Sequence, residues 1–434
     1  MRRIDFIGKY LLAALIVMVS AFGVYAQQTD ALGTYTPYSL YGIGDIEKQG
    51  TSFNKGMGGI GTGVRDVRFI NYLNPASITA RDTLSFMLDF GGSQKNFYNS
   101  DGNASSAFNT AGMQNVIFTA PIHNKTAFIV GVTPYSNIGY KFQTAETNKE
   151  LVSKYGNIVY EKYGTGSINQ LFVGGAFNIT KFFAVGGEMV YYFGALNRYS
   201  NILFKSDNSF RNISSGWDYD VNALSGRFGA QLFFPIGKKV EVVAGGTYRL
   251  ATNLKGDYTK YIYAGLSPNQ DTISFATTNN MQMEIPTEIS AGISVRVKEK
   301  WMVGFDYVKQ DWKPAAVENM SIEGFKPSAS QSYRFGVEYI PNMYDIRYYM
   351  KRVTYRFGAY YDESYINIGG NQVNAAGLTF GMSMPVFRWY NAVSWSVDLG
   401  QRGALKNDMV RERYVQFNLN VNLHDLWFIK KKYQ

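Results

Sequence analysis

Val415–Leu423 reads VQFNLNVNL: Val415, Phe417, Leu419, Val421 and Leu423 alternate with Gln416, Asn418, Asn420 and Asn422. A period of two with one apolar face is the signature of a half-buried β-strand. Leu84, Phe86, Leu88 and Phe90 alternate in the same way with Ser85, Met87 and Asp89, and Val240–Arg249 repeats the pattern. A soluble sandwich shows such alternation in strands of about 5–6 residues. Here the runs often reach 10–14 residues or more, the length of tilted strands crossing a bilayer.

The composition agrees. Of 434 residues, 18% are charged and 16% aromatic, with 33 Tyr, 30 Phe, 44 Gly and no Cys. No apolar run of the length a helical span needs follows the first residues, so a polytopic helical membrane protein is excluded. Without Cys there is no disulfide scaffold, thiol catalysis, Cys-based zinc or iron–sulfur site, or lipoprotein anchor. Residues 1–26 read as a secretory signal peptide: Arg2, Arg3 and Lys9 precede the apolar Leu11–Val19, and Val24-Tyr25-Ala26 places the cut before Gln27. Removing three basic residues and Asp5 takes the balance from 43 against 33 to 40 against 32, so +10 becomes +8. That excess is spread out, without the basic stripe of a nucleic-acid binder.

Connections alternate in length. Short turns at 123–125, 180–181, 237–239, 298–300 and 388–391 alternate with longer polar loops near 94–112, 144–157, 205–216, 264–283, 313–329, 364–372 and 403–411. Short periplasmic turns opposite longer extracellular loops are the rule in outer-membrane barrels. Seven long loops imply fourteen strands over residues 83–424, the first near 83–93 and the last near 412–424, with 342–351 as the one long periplasmic connection. The expected fold is therefore all-β, an antiparallel transmembrane barrel. Tyr191, Tyr192 and Phe193, Tyr360 and Tyr361, and Trp389 and Tyr390 are read as interfacial aromatics.

Residues 27–82 do not alternate. They carry Gly56, Gly58, Gly59, Gly61 and Gly63, then Asn74-Pro75-Ala76. Gly56–Gly61 matches G-x-G-x-x-G, but no βαβ unit surrounds it, so a dinucleotide site fails on context. Irregular backbone folded inside the pore, a plug or hatch, is the better reading, because Gly permits tight turns and close approach.

A signal peptide, a Gly-rich plug with an Asn-Pro-Ala element and fourteen strands together resemble the FadL-type outer-membrane transport proteins for long-chain fatty acids and other hydrophobic compounds. Phe128–Tyr140 (FIVGVTPYSNIGY) is similar to that family's third strand, and Pro286–Trp312 to its proline-led hairpin ending in Trp. Ser332–Tyr339 and Arg356–Tyr360 also fit. The chain departs from the pattern at its end, where Lys430–Lys432 lie in a basic periplasmic tail, 425–434, and in its short polar loops. Pro134 lacks a backbone donor and interrupts pairing within a strand. The resemblance implies an inward kink there and a lateral gate at Gly131, Pro134 and Gly139.

Alternation sends Glu188, Arg227, Glu241, Arg249, Asp306, Arg334, Glu338, Arg356, Asp398 and Arg402 to the lumen. Both signs on neighbouring strands predict an internally paired network that pins the plug; a clamp on a substrate carboxylate by Arg249 or Arg356 is the sharper alternative. His123 and His424 are placed in periplasmic turn or tail positions, which leaves few general bases and no basis for an enzyme, metal or cofactor. The resemblance leads to a passive outer-membrane channel for hydrophobic compounds, with plug movement and lateral release into the bilayer. Its alternative is a FadL-like accessory barrel in an outer-membrane secretion or assembly complex, with other outer-membrane proteins as partners. An apolar pocket between plug and wall separates the first from the second.

Overall fold

The computed structural model describes residues 32–81, 85–123, 125–205, 210–237, 239–266, 269–313, 325–386, 390–406 and 409–426. The expected signal peptide, residues 427–434 of the tail, and Trp389 lie outside the described residues. The barrel strands are β1 (Ser85–Ser100), β2 (Ser105–His123), β3 (Thr126–Ala145), β4 (Ile158–Asn178), β5 (Phe183–Phe204) and β6 (Ile213–Ile236). β7 comprises Val240–Arg249 and Thr252–Leu266, and β8 Asn269–Ile285 and Glu288–Val297, interrupted at Pro286. β9 (Trp301–Asp311), β10 (Phe325–Pro327 and Ala329–Tyr339), β11 (Thr354–Ile368), β12 (Asn371–Pro385), β13 (Ala392–Arg402) and β14 (Arg411–Leu426) complete the set. Each pairs antiparallel with the next, and β14 pairs with β1 from Arg411 opposite Ser100 to Leu426 opposite Ser85. The result is a closed fourteen-stranded barrel.

The barrel is built inside out. Outward positions on β6, β12 and β14 carry exposed Leu224 and Phe228, Leu378 and Phe380, Phe417 and Leu419. The residues between them turn inward and are buried: Arg227, Thr379, Asn418 and Asn420. Lipid demands this arrangement, since a basic side chain on the lipid face costs about 2–4 kcal/mol at mid-bilayer. Closure removes every sheet edge except where two neighbours part.

Three of the expected loops are largely strand instead; at 364–372 β11 runs to Ile368 and β12 begins at Asn371, with Asn367 opposite Gln372 across a turn at Gly369–Gly370. Residues 94–100 and 105–112 continue the β1–β2 hairpin, with Gln94 opposite Ala111 and Asn96 opposite Asn109. The 264–283 region likewise extends β7 and β8, with Phe275 opposite Tyr261. In the β1–β2 extension both faces carry polar side chains, so the alternation fades while backbone pairing continues. The 144–157 loop keeps a short helix, α2 (Lys149–Tyr155), capped by the Asn148 side chain.

Residues 33–81 run through the lumen. They hold a two-residue strand (Asp45–Ile46), the helix α1 (Ser52–Lys55) and 3-10 turns at Pro37–Leu40 and Pro75–Thr79. Asn74 caps the second turn by accepting from the Ala76 N–H at 3.0 Å, and Pro75 opens it where no donor is needed.

Candidate functional site

The lumen segment touches the wall through backbone, and the wall meets it with glycine. A Cβ on Gly186 of β5 would lie 2.6 Å from the Pro75 carbonyl carbon, and one on Gly336 of β10 2.6 Å from the Met57 carbonyl oxygen. On Gly381 of β12 it would lie 2.9 Å from the Gly56 Cα. Gly229, Gly245, Gly292 and Gly358 face Asn74, Thr62, Gly63 and Gly58 in the same way. These inward glycines occupy β5 to β8 and β10 to β12, with Asp306 on the intervening β9, and form a belt into which residues 56–76 fit. At Gly58, φ of +68° lets the chain turn away from the wall. Thus the Gly56–Gly61 run serves close approach to strands.

Hydrogen bonds lock the fit. The Gly61 and Thr62 N–H groups each donate to Asp306 at 2.7 Å, and the Gly58 N–H donates to Thr379 Oγ1 at 2.8 Å. Asn74 Nδ2 donates to the Thr62 carbonyl at 2.8 Å. Arg334 donates to the Gly59 carbonyl at 3.2 Å.

The other inward charges pair among themselves or with the lumen segment. Arg227 Nε donates to Glu188 at 3.0 Å, and Arg249 lies 3.4 Å from Glu288. Asp398 accepts from Lys48 at 3.1 Å and from the Tyr360 hydroxyl at 2.7 Å. Arg402 donates to Asp45 at 2.6 Å and to Glu412 at 3.0 Å. Glu338 gathers Arg68 at 2.5 Å, Arg296 at 3.1 Å and Arg356 at 3.1 Å; Asp66 joins through Arg68 and Arg296. Glu241 is half-buried, opposite Arg296 in the β7–β8 ladder and within electrostatic reach of Arg65. Arg249 and Arg356 each face a carboxylate, yet Nε and Nη2 of Arg249 and Nη2 of Arg356 are buried without a hydrogen-bond partner among the described residues. Asp45, Lys48, Asp66 and Arg68 escape a strand-by-strand reading because they sit on the irregular segment, where no period marks an inward face.

Three sequence placements are corrected. Tyr192 and Tyr360 point inward and are buried, Tyr192 edge-on to Tyr135 at 5.0 Å, while Tyr191 and Tyr361 remain on the exterior. His424 lies within β14, buried against Tyr390 at 4.7 Å, because β14 continues to Leu426. Among the described residues no group of three or more acids or histidines is placed to hold a metal ion.

Between β2 and β3 the wall parts. β2 pairs with β3 from His123 opposite Thr126 only as far as Val116 opposite Val132. Beyond that point Pro134 sits at a register shift in the β3–β4 ladder, and the released edge of β3 is taken by the lumen segment. Asp45 pairs with Asn137 and Ile46 with Ser136; the Glu47 N–H donates to the Tyr135 carbonyl at 2.9 Å and the Thr36 N–H to the Gly139 carbonyl at 3.2 Å. Gly131 lies on the paired side of the divergence, Pro134 at its start, and Gly139 beyond it against the Thr34 backbone.

A cavity of about 240 Å³ opens behind the parting, lined by Lys48, Lys55, Lys95, Glu47, Gln114 and Pro134 among others. A second of about 220 Å³ lies deeper, among Lys48, Arg227, Arg249, Glu288, Asp398 and Arg402. Charged side chains line both, alongside apolar surface that makes up somewhat more than half of each lining. Burial pushes Lys55 down to about 8, with Glu47 opposing that shift.

Comparison with known proteins now bears on this geometry. The family model described as BamG matches residues 7–434. The chain belongs to the BamG family. Among solved structures, a CymD monoaromatic hydrocarbon channel superposes with a TM-score of 0.57 at 15% identity, covering 89% of this chain and 99% of that one. A FadL homologue of Pseudomonas aeruginosa gives 0.54 at 13%, covering 87% and 99%. The toluene transporter TbuX of Ralstonia pickettii gives 0.56 at 14%, covering 86% and 98%. These likenesses establish a FadL-like fold for this member of the family. Comparison with curated protein sequences finds no match.

Proposed function

We propose that this chain is an accessory barrel of the outer membrane, a subunit of a secretion or assembly complex in which residues 33–81 act as a fixed plug. One observation carries the reading: the lumen is filled by paired charges and backbone contacts, and its cavities are lined by lysines, arginines and carboxylates. An apolar compound gains nothing by leaving lipid for such surroundings, because stripping water from unmatched charges costs more than apolar contact returns. A plug seated on a glycine belt also lacks slack to move. Hence the interior suits a scaffold whose working surfaces are its wall and loops.

A second reading is favoured by the parting of β2 and β3. With Gly131, Pro134 and Gly139 as a lateral gate, the barrel is a passive channel that releases a hydrophobic compound into the bilayer, as the names of the structurally similar channels suggest. It requires displacement of the lysine-lined segment before an apolar path exists.

Mild-detergent extraction of the tagged protein from its own outer membrane separates the two, with proteins and co-extracted small molecules both identified by mass spectrometry. A fixed-ratio complex with an empty lumen is the expected result. A lone barrel carrying apolar molecules would establish the channel reading instead.

A further inference from the structure

The parting leaves two strand edges, and only one is satisfied. The β3 edge is covered by Thr36 and Asp45–Glu47. The facing edge of β2, Ser105–Asn115, pairs with β1 on one side, and on the other has no strand partner among the described residues. An unpaired edge is a template for another strand, and proteins that must keep one free protect it with Lys, Pro, a bulge or inward charges. Ser105–Asn115 reads SSAFNTAGMQN, with no charge and no Pro. Its one irregularity against β1 is a bulge at Gln114, skipped between Met113 opposite Gly92 and Asn115 opposite Gly91, at the end of the edge next to the paired part of β2 and β3. Ala107, Asn109, Ala111 and Met113 are exposed. From Ser105 to Met113 the edge is regular and carries no charge, Pro or bulge.

We propose that this β2 edge accepts an extended segment of a second outer-membrane polypeptide, which adds as a strand in the parting. The inference rests on the accessory-subunit reading and deepens it by naming the docking surface. Strand addition supplies main-chain hydrogen bonds, while side chains at alternate positions supply specificity. One face of the added strand lies on the exterior beside Ala111 and Met113, where small or apolar side chains fit. Its other face looks into the cavity behind the parting, where Lys48, Lys55 and Lys95 are set against Glu47 as the one acid in the lining. Lys48 is paired with Asp398, and Lys95 is 3.9 Å from Asp45, whereas Lys55 makes no ion pair among the described residues. An acidic side chain on the inward face of the segment answers that charge.

The test introduces a photo-crosslinking amino acid into the full-length protein at Ala107, Asn109 or Ala111 in living cells, with Leu378 and Phe380 on the far wall as controls. Each variant is first checked for the heat-modifiable gel migration of a folded barrel. The expected result is an adduct with one polypeptide, its attachment point moving two residues for each two-residue step along β2. Ala111→Lys, which places a charge on the edge, abolishes that adduct without altering migration of the barrel. Lipid adducts alone, or none at β2, while extraction still recovers a fixed-ratio partner, would overturn the docking surface and leave the subunit reading standing. Loss of the partner from the extraction as well would overturn both.

Discussion

Glu338 sits between three guanidinium groups, those of Arg68, Arg296 and Arg356, and is itself almost wholly buried. Removing one member of such a buried cluster strands the others without compensation, which costs about 3–5 kcal/mol. Glu338→Ala is therefore expected to lower the urea midpoint of barrel unfolding in detergent, with Glu338→Gln intermediate because it keeps acceptor geometry at one oxygen. Lys55 makes the opposite prediction. Its burial, with Glu47 opposing, brings it from 10.5 down to about 8, so between those values the unfolded chain binds more protons than the folded one. Stability then rises with pH through that window and is flat below it. Lys55→Met should abolish the rise and stabilise the protein at pH 7 by on the order of 3 kcal/mol, measured by urea titration at pH 7 and pH 10. A slope that survives the substitution would assign the effect to another group.

At the scale of elements, the belt distinguishes neighbouring glycines by the face they occupy. Gly245 of β7 faces the Thr62 carbonyl, while a Cβ on Gly246 would lie an ordinary 3.6 Å from the Ser290 carbonyl. Gly245→Ala should cost roughly 1–3 kcal/mol through overpacking and expose residues 33–81 to protease. Gly246→Ala should stay within about 0.5 kcal/mol and leave the protease pattern unchanged. This distinction shows how far the sequence was legible. VQFNLNVNL and its counterparts place strands and inward faces because the period of two follows directly from strand geometry. The same parity puts Glu188, Arg227, Asp306, Glu338 and Asp398 in the lumen. It does not reveal that Arg68 meets Glu338, since that pairing is set by the path of an irregular segment. Nor does it show strands at 94–112, where both faces are polar. Pro134 was informative because its missing donor acts locally; the unpaired β2 edge opposite it requires the whole ladder to be seen.

At the scale of the molecule, the number of strands and the contents of the lumen are linked. Barrel diameter grows with strand number: about eight strands enclose just enough room for wall side chains, and sixteen or more leave an aqueous channel. Fourteen strands leave space that side chains alone do not fill. Residues 33–81 occupy it, pinned by the glycine belt and by charge pairs on both sides of the barrel. The inside wall is already polar enough to hold water, with Asn418, Asn420, Arg227 and Asp398 turned inward. Deleting residues 33–81 should therefore convert a closed barrel into a water-filled pore. In planar bilayers the intact protein is expected to be electrically silent, while the deletion variant, once shown to migrate as a folded barrel, conducts ions in discrete porin-like steps. Disabling only the Asp306 cradle, as Asp306→Ala, should give brief and infrequent openings between these limits. Steady conductance by the intact protein, equal to that of the deletion variant, would mean that the segment does not seal the lumen, and the accessory-barrel reading would lose its foundation.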